Sequence, residues 1–227
     1  MTWGNGASWR RDTRPGVLVI LFGIAVAGFA ALWAMLILMP ALISIDHSVS
    51  AAMRSLANPQ LDPIAVAFTT LGGFVIMSAL AVAVAAWLLW RGLRAEAALV
   101  AGTMTFGPAL GQLMKFIAGR ERPPVEFARI VSPTDLSFPS GHSLAAFLFF
   151  GTLVFLLFTV DETLSLKAKA LVSVACVALA LAISMSRVYL GVHYLGDVVG
   201  GWLLGAAVMT ITVGIYVTVT SGRTASR

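Results

Sequence analysis

Apolar stretches long enough to cross a bilayer recur along this 227-residue chain, separated for the most part by short polar joints. A hydrocarbon core about 30 Å thick takes roughly 20 apolar residues in a helix, and a backbone in lipid must satisfy its own hydrogen bonds. The first run opens at Gly16, just behind Arg10, Arg11 and Arg14, and continues to about Ile43, with Pro40 marking its exit. It is longer than the roughly 7–15-residue core of a cleavable signal peptide, so it is expected to stay as a span. A second run follows the turn signals Asn58-Pro59 and Asp62-Pro63 and reaches Trp90, ahead of Arg91 and Arg94. The third covers about Ala95–Ala118, and its small-residue pair Gly107/Gly111 allows close helix packing. The fourth begins near His142 and ends before Asp161, the fifth runs from Lys167 and Lys169 to about Met185, and the sixth covers Leu195–Val219. Between the first two, Ile45–Leu56 places Ile45, Val49, Ala52, Met53 and Leu56 at helical spacing among Asp46, His47 and Arg54. The chain therefore reads as all-α: a six-transmembrane-helix bundle with a short interfacial helix between spans one and two.

Composition supports that reading. The chain is 59% hydrophobic and 11% charged, with a mean hydropathy of +0.93, whereas soluble domains carry about 25% charged residues. The net charge of +5 suits nucleic acid in principle. Several of the cations flank apolar runs, however, so membrane-flanking charge accounts for them and no nucleic-acid partner is expected. The single cysteine, Cys176, lies within an apolar run and forms no intramolecular disulfide; it reads as a small buried hydrophobe.

Six spans with a cytoplasmic N-terminus put Arg10, Arg11, Arg14, Arg91, Arg94, Lys167, Lys169, Arg223 and Arg227 inside, and Arg54, Lys115, Arg120, Arg122, Arg129 and Arg187 outside. That positive-inside bias is mild. Parity says more: the ends of spans three and five and the starts of spans four and six must share a face. Those ends carry Lys115 with Arg122, Arg187, His142, and His193 with Asp197, which therefore converge on the outer side.

The segment Ser186–Asp197 places a permanent cation, a histidine and a carboxylate at the mouth of an apolar segment. If the residues after Gly191 are helical, His193 and Asp197 form an i, i+4 pair, in which the carboxylate fixes the imidazole tautomer and frees the other nitrogen. Arg187 is placed to hold an anion in front of that nitrogen. Singly, each group has a plainer role: Lys115, Arg122 and Arg187 as snorkelling anchors, Ser140-Gly141 as a helix cap, His193 with Asp197 as a structural pair. A metal site of His142, His193 and Asp197 is a sharper rival. Three cations in one pocket argue against it, since they repel a divalent ion and welcome phosphate.

Taken together, Lys115-x6-Arg122-Pro123, Pro139-Ser140-Gly141-His142 and Ser186-Arg187-x5-His193-x3-Asp197 resemble the type-2 phosphatidic acid phosphatase family, which shares its site with bacterial acid phosphatases and vanadium haloperoxidases. The three motifs are complete and in order, and the six-span layout extends the resemblance over most of the chain. The resemblance implies one membrane phosphatase domain, 1–227, with its catalytic core at about 95–219. It implies that His193 attacks phosphorus, Asp197 orients it, and His142 protonates the leaving oxygen and then activates water. Lys115, Arg122, Arg187, Ser140 and the backbone near Gly141 would hold the phosphoryl oxygens, with no metal or cofactor. The expected substrate is a lipid phosphate or diphosphate, of undecaprenyl pyrophosphate or phosphatidic acid/phosphatidylglycerol phosphate type, handled at the outer face of an inner membrane whose cytoplasmic side holds both termini. Phosphotransfer to an alcohol and non-hydrolytic lipid-phosphate transport are the alternatives.

Overall fold

A computed structural model describes residues 15–225. Among these residues the secondary structure is entirely helical: α1 (Pro15–Leu38), α2 (Pro40–Ser55), α3 (Asp62–Leu71), α4 (Phe74–Trp90), α5 (Arg94–Ala118), a 3-10 turn (Val125–Phe127), α6 (Gly141–Thr159), α7 (Leu166–Tyr189) and α8 (Leu195–Ala225). Arg10, Arg11, Arg14 and Arg227 lie outside the described residues.

Helices α1, α5, α6, α7 and α8 are each long and apolar enough to cross a membrane. The pair α3 and α4 makes a sixth if its two pieces, bent by 49°, count as one span. The protein is thus a multi-pass membrane protein of five or six spans.

Two boundaries differ from expectation. Helix α1 stops at Leu38 rather than near Ile43, because Pro40 opens a new helix at its N1 position; a proline lacks the N–H that continuation would need. The second apolar run is broken at Gly72-Gly73. A Cβ on Gly72 would stand 2.2 Å from Ile183 Cγ2 and 3.3 Å from the His142 ring. The break lets α7 and the start of α6 press against bare backbone.

Helix α6 is the axis of the bundle, packing on α4, α5, α7 and α8 and burying Leu144, Ala146, Leu148 and Phe149 among them. Gly107 and Gly111, predicted to allow close packing, do so, facing Leu148 and Leu144 of α6; Gly205 likewise faces Phe147. Interhelical hydrogen bonds from Trp202 to Ser184 (2.9 Å) and Thr103 to Thr212 (3.0 Å) add polar glue, each worth about 1 kcal/mol in lipid.

Helix α2 buries two polar side chains, although His47, Ser48 and Arg54 stay exposed. Asp46 and Ser50 are buried, while Ile45 and Leu56 are exposed. A carboxylate buried in this way needs donors from the protein around it.

Candidate active site

The C-terminal half of α5, the start of α6, the end of α7, the turn before α8, Gly72 with the start of α4, and the long loop 119–140 line a cavity of about 200 Å³. Six of the eight residues singled out from sequence line it: Lys115, Arg122, Gly141, His142, Arg187 and His193. Asp197 and Ser140 lie directly behind. Met77, Met104, Pro108 and Leu144 form an apolar wall.

Local structure explains how this turn is built. Helix α7 ends in a Schellman motif: Gly191 N–H donates to Val188 O at 3.0 Å and Val192 N–H to Arg187 O at 3.1 Å, with Gly191 at φ +70°. A β-carbon on Gly191 would also collide with Phe127 O at 2.1 Å, so the turn accepts only glycine. The motif folds His193 back over the last turn of α7, which carries Arg187.

His193 then precedes α8 rather than lying on it, so the pair is not on one helical face as expected. It forms nonetheless. Asp197 sits in the first turn of α8 and accepts the Tyr194 backbone N–H at 2.9 Å, as the third residue of a capping box does. The same Oδ2 accepts from Ser137 Oγ at 2.5 Å and lies 3.2 Å from His193 Nδ1. Arg122 donates to His193 Nε2 at 2.9 Å, which assigns the proton to Nδ1 and the lone pair to Nε2, on the cavity side. Complete burial pushes the His193 pKa down, the Asp197 hydrogen bond pulls it back in part, and Arg122 and Arg187 lower it again, to about 4. The imidazole is therefore neutral at neutral pH.

Asp135 in the loop binds both Lys115 and Arg122, the latter at 2.6 Å. Partial burial raises its pKa, but hydrogen bonds from the two cations outweigh this and hold it at about 2. Arg187 donates to Thr69, and its buried Nε has no partner among the described residues. Ser140 caps α6: its Oγ accepts the Ser143 N–H at 3.4 Å, and its own N–H donates to Asp197 O at 2.9 Å. That hydroxyl is wholly buried and does not line the cavity.

The model of the PAP2 superfamily matches residues 96–221. The chain belongs to the PAP2 superfamily. Over 176 residues it is 32% identical to phosphatidylglycerophosphatase B of Bacillus subtilis strain 168, the match covering 75% of this chain and 83% of the relative. Over 111 residues it is 33% identical to an undecaprenyl-diphosphatase of Sulfolobus acidocaldarius, covering 47% of this chain and 48% of that one. The crystal structure of a transmembrane PAP2-type phosphatidylglycerolphosphate phosphatase from Bacillus subtilis matches with a TM-score of 0.72 at 29% identity, covering 88% of this chain and 94% of that chain. This PAP2 protein is accordingly an enzyme, a membrane phosphatase acting on phosphoric monoesters.

Several groups around the PAP2 motifs escaped the sequence reading: Arg120, Asp46, Asp135, Ser137 and Thr69. A signal existed for Arg120, within the charge cluster that ends α5, and for Asp46, a carboxylate in a mostly apolar segment. Nothing in the spacing marks Ser137 or Thr69.

Proposed function

We propose that this PAP2 phosphatase hydrolyses a lipid phosphate or diphosphate at the outer face of the cell membrane, without metal, through a phosphohistidine on His193. The observation that carries the reading is the cavity itself. Its polar floor holds Lys115, Arg122, Arg187 and an imidazole already oriented by Asp197, and its wall is apolar. A phosphate monoester with a hydrocarbon tail matches both halves. The relatives named for phosphatidylglycerophosphate and undecaprenyl diphosphate bracket the substrate class.

In the first step the Nε2 lone pair attacks phosphorus, forming N–P as the bond to the leaving oxygen breaks; His142 gives that oxygen a proton. Arg122 turns from Nε2 to the phosphoryl oxygens, joining Lys115, Arg187 and the N–H groups at the start of α6. In the second step His142 takes a proton from water, whose oxygen attacks phosphorus and breaks N–P. Asp197 keeps its negative charge throughout and stabilises the cationic ring. Ser140 acts as a cap that sets Gly141 and His142 in place. Helix α2 lies along the interface, and the N- and C-termini face the cytoplasm.

Purified protein incubated with a panel of lipid mono- and diphosphates, in strong chelator, should release inorganic phosphate and yield an acid-labile phosphoenzyme. Activity abolished by chelation and restored by zinc overturns the metal-free mechanism. Lipid binding without phosphate release makes the protein a carrier, and transfer to an added alcohol in place of water makes it a phosphotransferase. For topology, a cysteine at Thr134 should react with an impermeant reagent added outside cells, and one at Thr163 should not.

A further inference from the structure

Arg120 belongs to the segment between Lys115 and Arg122 yet faces away from the cavity. Its NH1 donates to Asp197 Oδ1 at 2.7 Å and its NH2 to Asp46 Oδ2 at 2.6 Å. Asp46, on α2, uses its other oxygen to accept the Gly196 N–H in the first turn of α8 at 2.8 Å. Two buried carboxylates, 3% and 0% exposed, thus share one guanidinium. With Arg120 on Oδ1, and Ser137, Tyr194 N–H and His193 on Oδ2, the Asp197 carboxylate has four donors, three of them on one oxygen. The guanidinium lies 4.6 Å over the Tyr194 ring, which meets His47 on α2 at 5.4 Å. There is no slack at the joint: a Cβ on Gly196 would come within 2.9 Å of Asp46 Oδ2 and 3.0 Å of Leu36.

We propose that Arg120 and Asp46 are positioning residues for phosphoryl transfer: Asp46 aims the Arg120 fork, and the fork holds Asp197 in the orientation that presents Oδ2 to His193 Nδ1. The inference rests on His193 being the nucleophile. A planar fork can bridge two carboxylates with fixed geometry, which a lysine point charge cannot. Losing one member leaves buried charge uncompensated, so the chain Asp46–Arg120–Asp197–His193 acts as a unit. It also gives α2 a task at the site, although α2 lends no residue to the cavity.

The test uses the full chain in detergent, a lipid monophosphate found to be a substrate, and the variants Asp46→Asn, Arg120→Lys, Arg120→Gln and Asp46→Asn/Arg120→Gln. Groups that orient a metal-ligating histidine from behind typically contribute about 10–100-fold, and the same scale is expected for an oriented nucleophilic histidine. Arg120→Gln should therefore lower kcat by about 30–100-fold with KM within about threefold, and Asp46→Asn should lower kcat by about 5–10-fold. The double variant should be no slower than Arg120→Gln alone. The charged groups facing the His193–Asp197 pair are Lys115, Arg120, Arg122, Arg187, Asp135 and His142, with Asp46 behind Arg120. Removing the Arg120 cation should move the acidic limb of kcat to higher pH, because a neighbouring positive charge opposes protonation of His193; Arg120→Lys should keep the limb in place but not restore kcat. A rise in KM at constant kcat would make Arg120 a phosphate-binding residue, and multiplicative losses in the double variant would break the relay. Either result overturns the proposal, as does wild-type kcat in Arg120→Gln. Should Arg120→Gln fail to fold, Asp46→Asn in the Arg120→Lys background carries the same comparison. A wild-type chain that releases no phosphate from any lipid sinks the functional reading itself, whereas an active wild type with unaffected variants sinks only this inference.

Discussion

Arg120 and Arg122 stand two positions apart on one loop and address opposite sides of the same imidazole. Arg122 faces the cavity, bonded to His193 Nε2 and to the half-exposed carboxylate of Asp135. Arg120 faces protein and reaches Nδ1 only through the buried Asp197. The partners of Arg122 are exchangeable, since phosphoryl oxygens offer the same acceptor geometry as a carboxylate. Those of Arg120 are not, because both are buried and any lost hydrogen bond exposes charge to a medium that cannot solvate it. On the proposed reading, loop cations at one site divide into those that bind and those that brace, according to the burial of their partners.

The most direct way to break this picture is at the imidazole between the two arginines. His193→Asn should reduce phosphate release by at least roughly 10⁴-fold, as loss of a nucleophile does elsewhere, and abolish the acid-labile phosphoenzyme. Near-normal turnover would remove the reason for having two sides at all. His142→Ala sharpens the cavity side. General acid catalysis contributes about 10²–10⁴-fold when the leaving oxygen is basic, so phosphoenzyme formation from a lipid monophosphate should fall by that much. With p-nitrophenyl phosphate the first step should change little, and stopped-flow should show a burst followed by slow turnover. Uniform loss on both substrates would recast His142 as a binding or structural residue.

A smaller effect is expected at Asp135, which on the proposed reading would compete with phosphoryl oxygens for the N–H groups of Lys115 and Arg122. An ion pair of this exposure is worth up to about 1 kcal/mol, so Asp135→Asn should lower KM by up to about fivefold and tighten vanadate inhibition. A raised KM would instead show that Asp135 holds the two cations in position. The last effect is thermodynamic. His193 has a folded pKa of about 4, below the unfolded value of about 6.5, so the unfolded chain binds the extra proton between those limits. Stability should then rise with pH from about 4 to 6.5, by at most about 1.4 kcal/mol per unit from this residue. Melting curves in detergent should show a shallower slope for His193→Asn than for the parent.

Much of this arrangement is legible in the residues. Apolar run length gives the spans, and parity of span ends gathers Lys115, Arg122, His142, Arg187 and His193 onto one face, where the structure brings them around one cavity. Long-range pairing was not legible. Asp46 reads as a polar position on an amphipathic helix because helical periodicity reports nothing of partners 74 and 150 residues away. The second apolar run reads as one helix because a pair of glycines is common in membrane helices; only the approach of Ile183 and His142 shows why position 72 has no room for a side chain. Ser140 reads as a phosphate ligand through its motif, and its burial as a helix cap depends on α8 packing over it.

The hydrogen bond between Asp46 and Gly196 joins positions 150 residues apart. At about 5–20 residues per second, a ribosome delivers α8 roughly 8–30 s after α2. Helices α1 and α8, the first and last of the described chain, also pack along one another. Assembly is therefore completed from its two ends: Asp197 itself arrives on the final helix, and the early carboxylate on α2 must wait with other partners until that helix is made. A chain still in synthesis lacks the Asp197 partner of His193, so on the proposed mechanism the imidazole is oriented only once the last helix is in place.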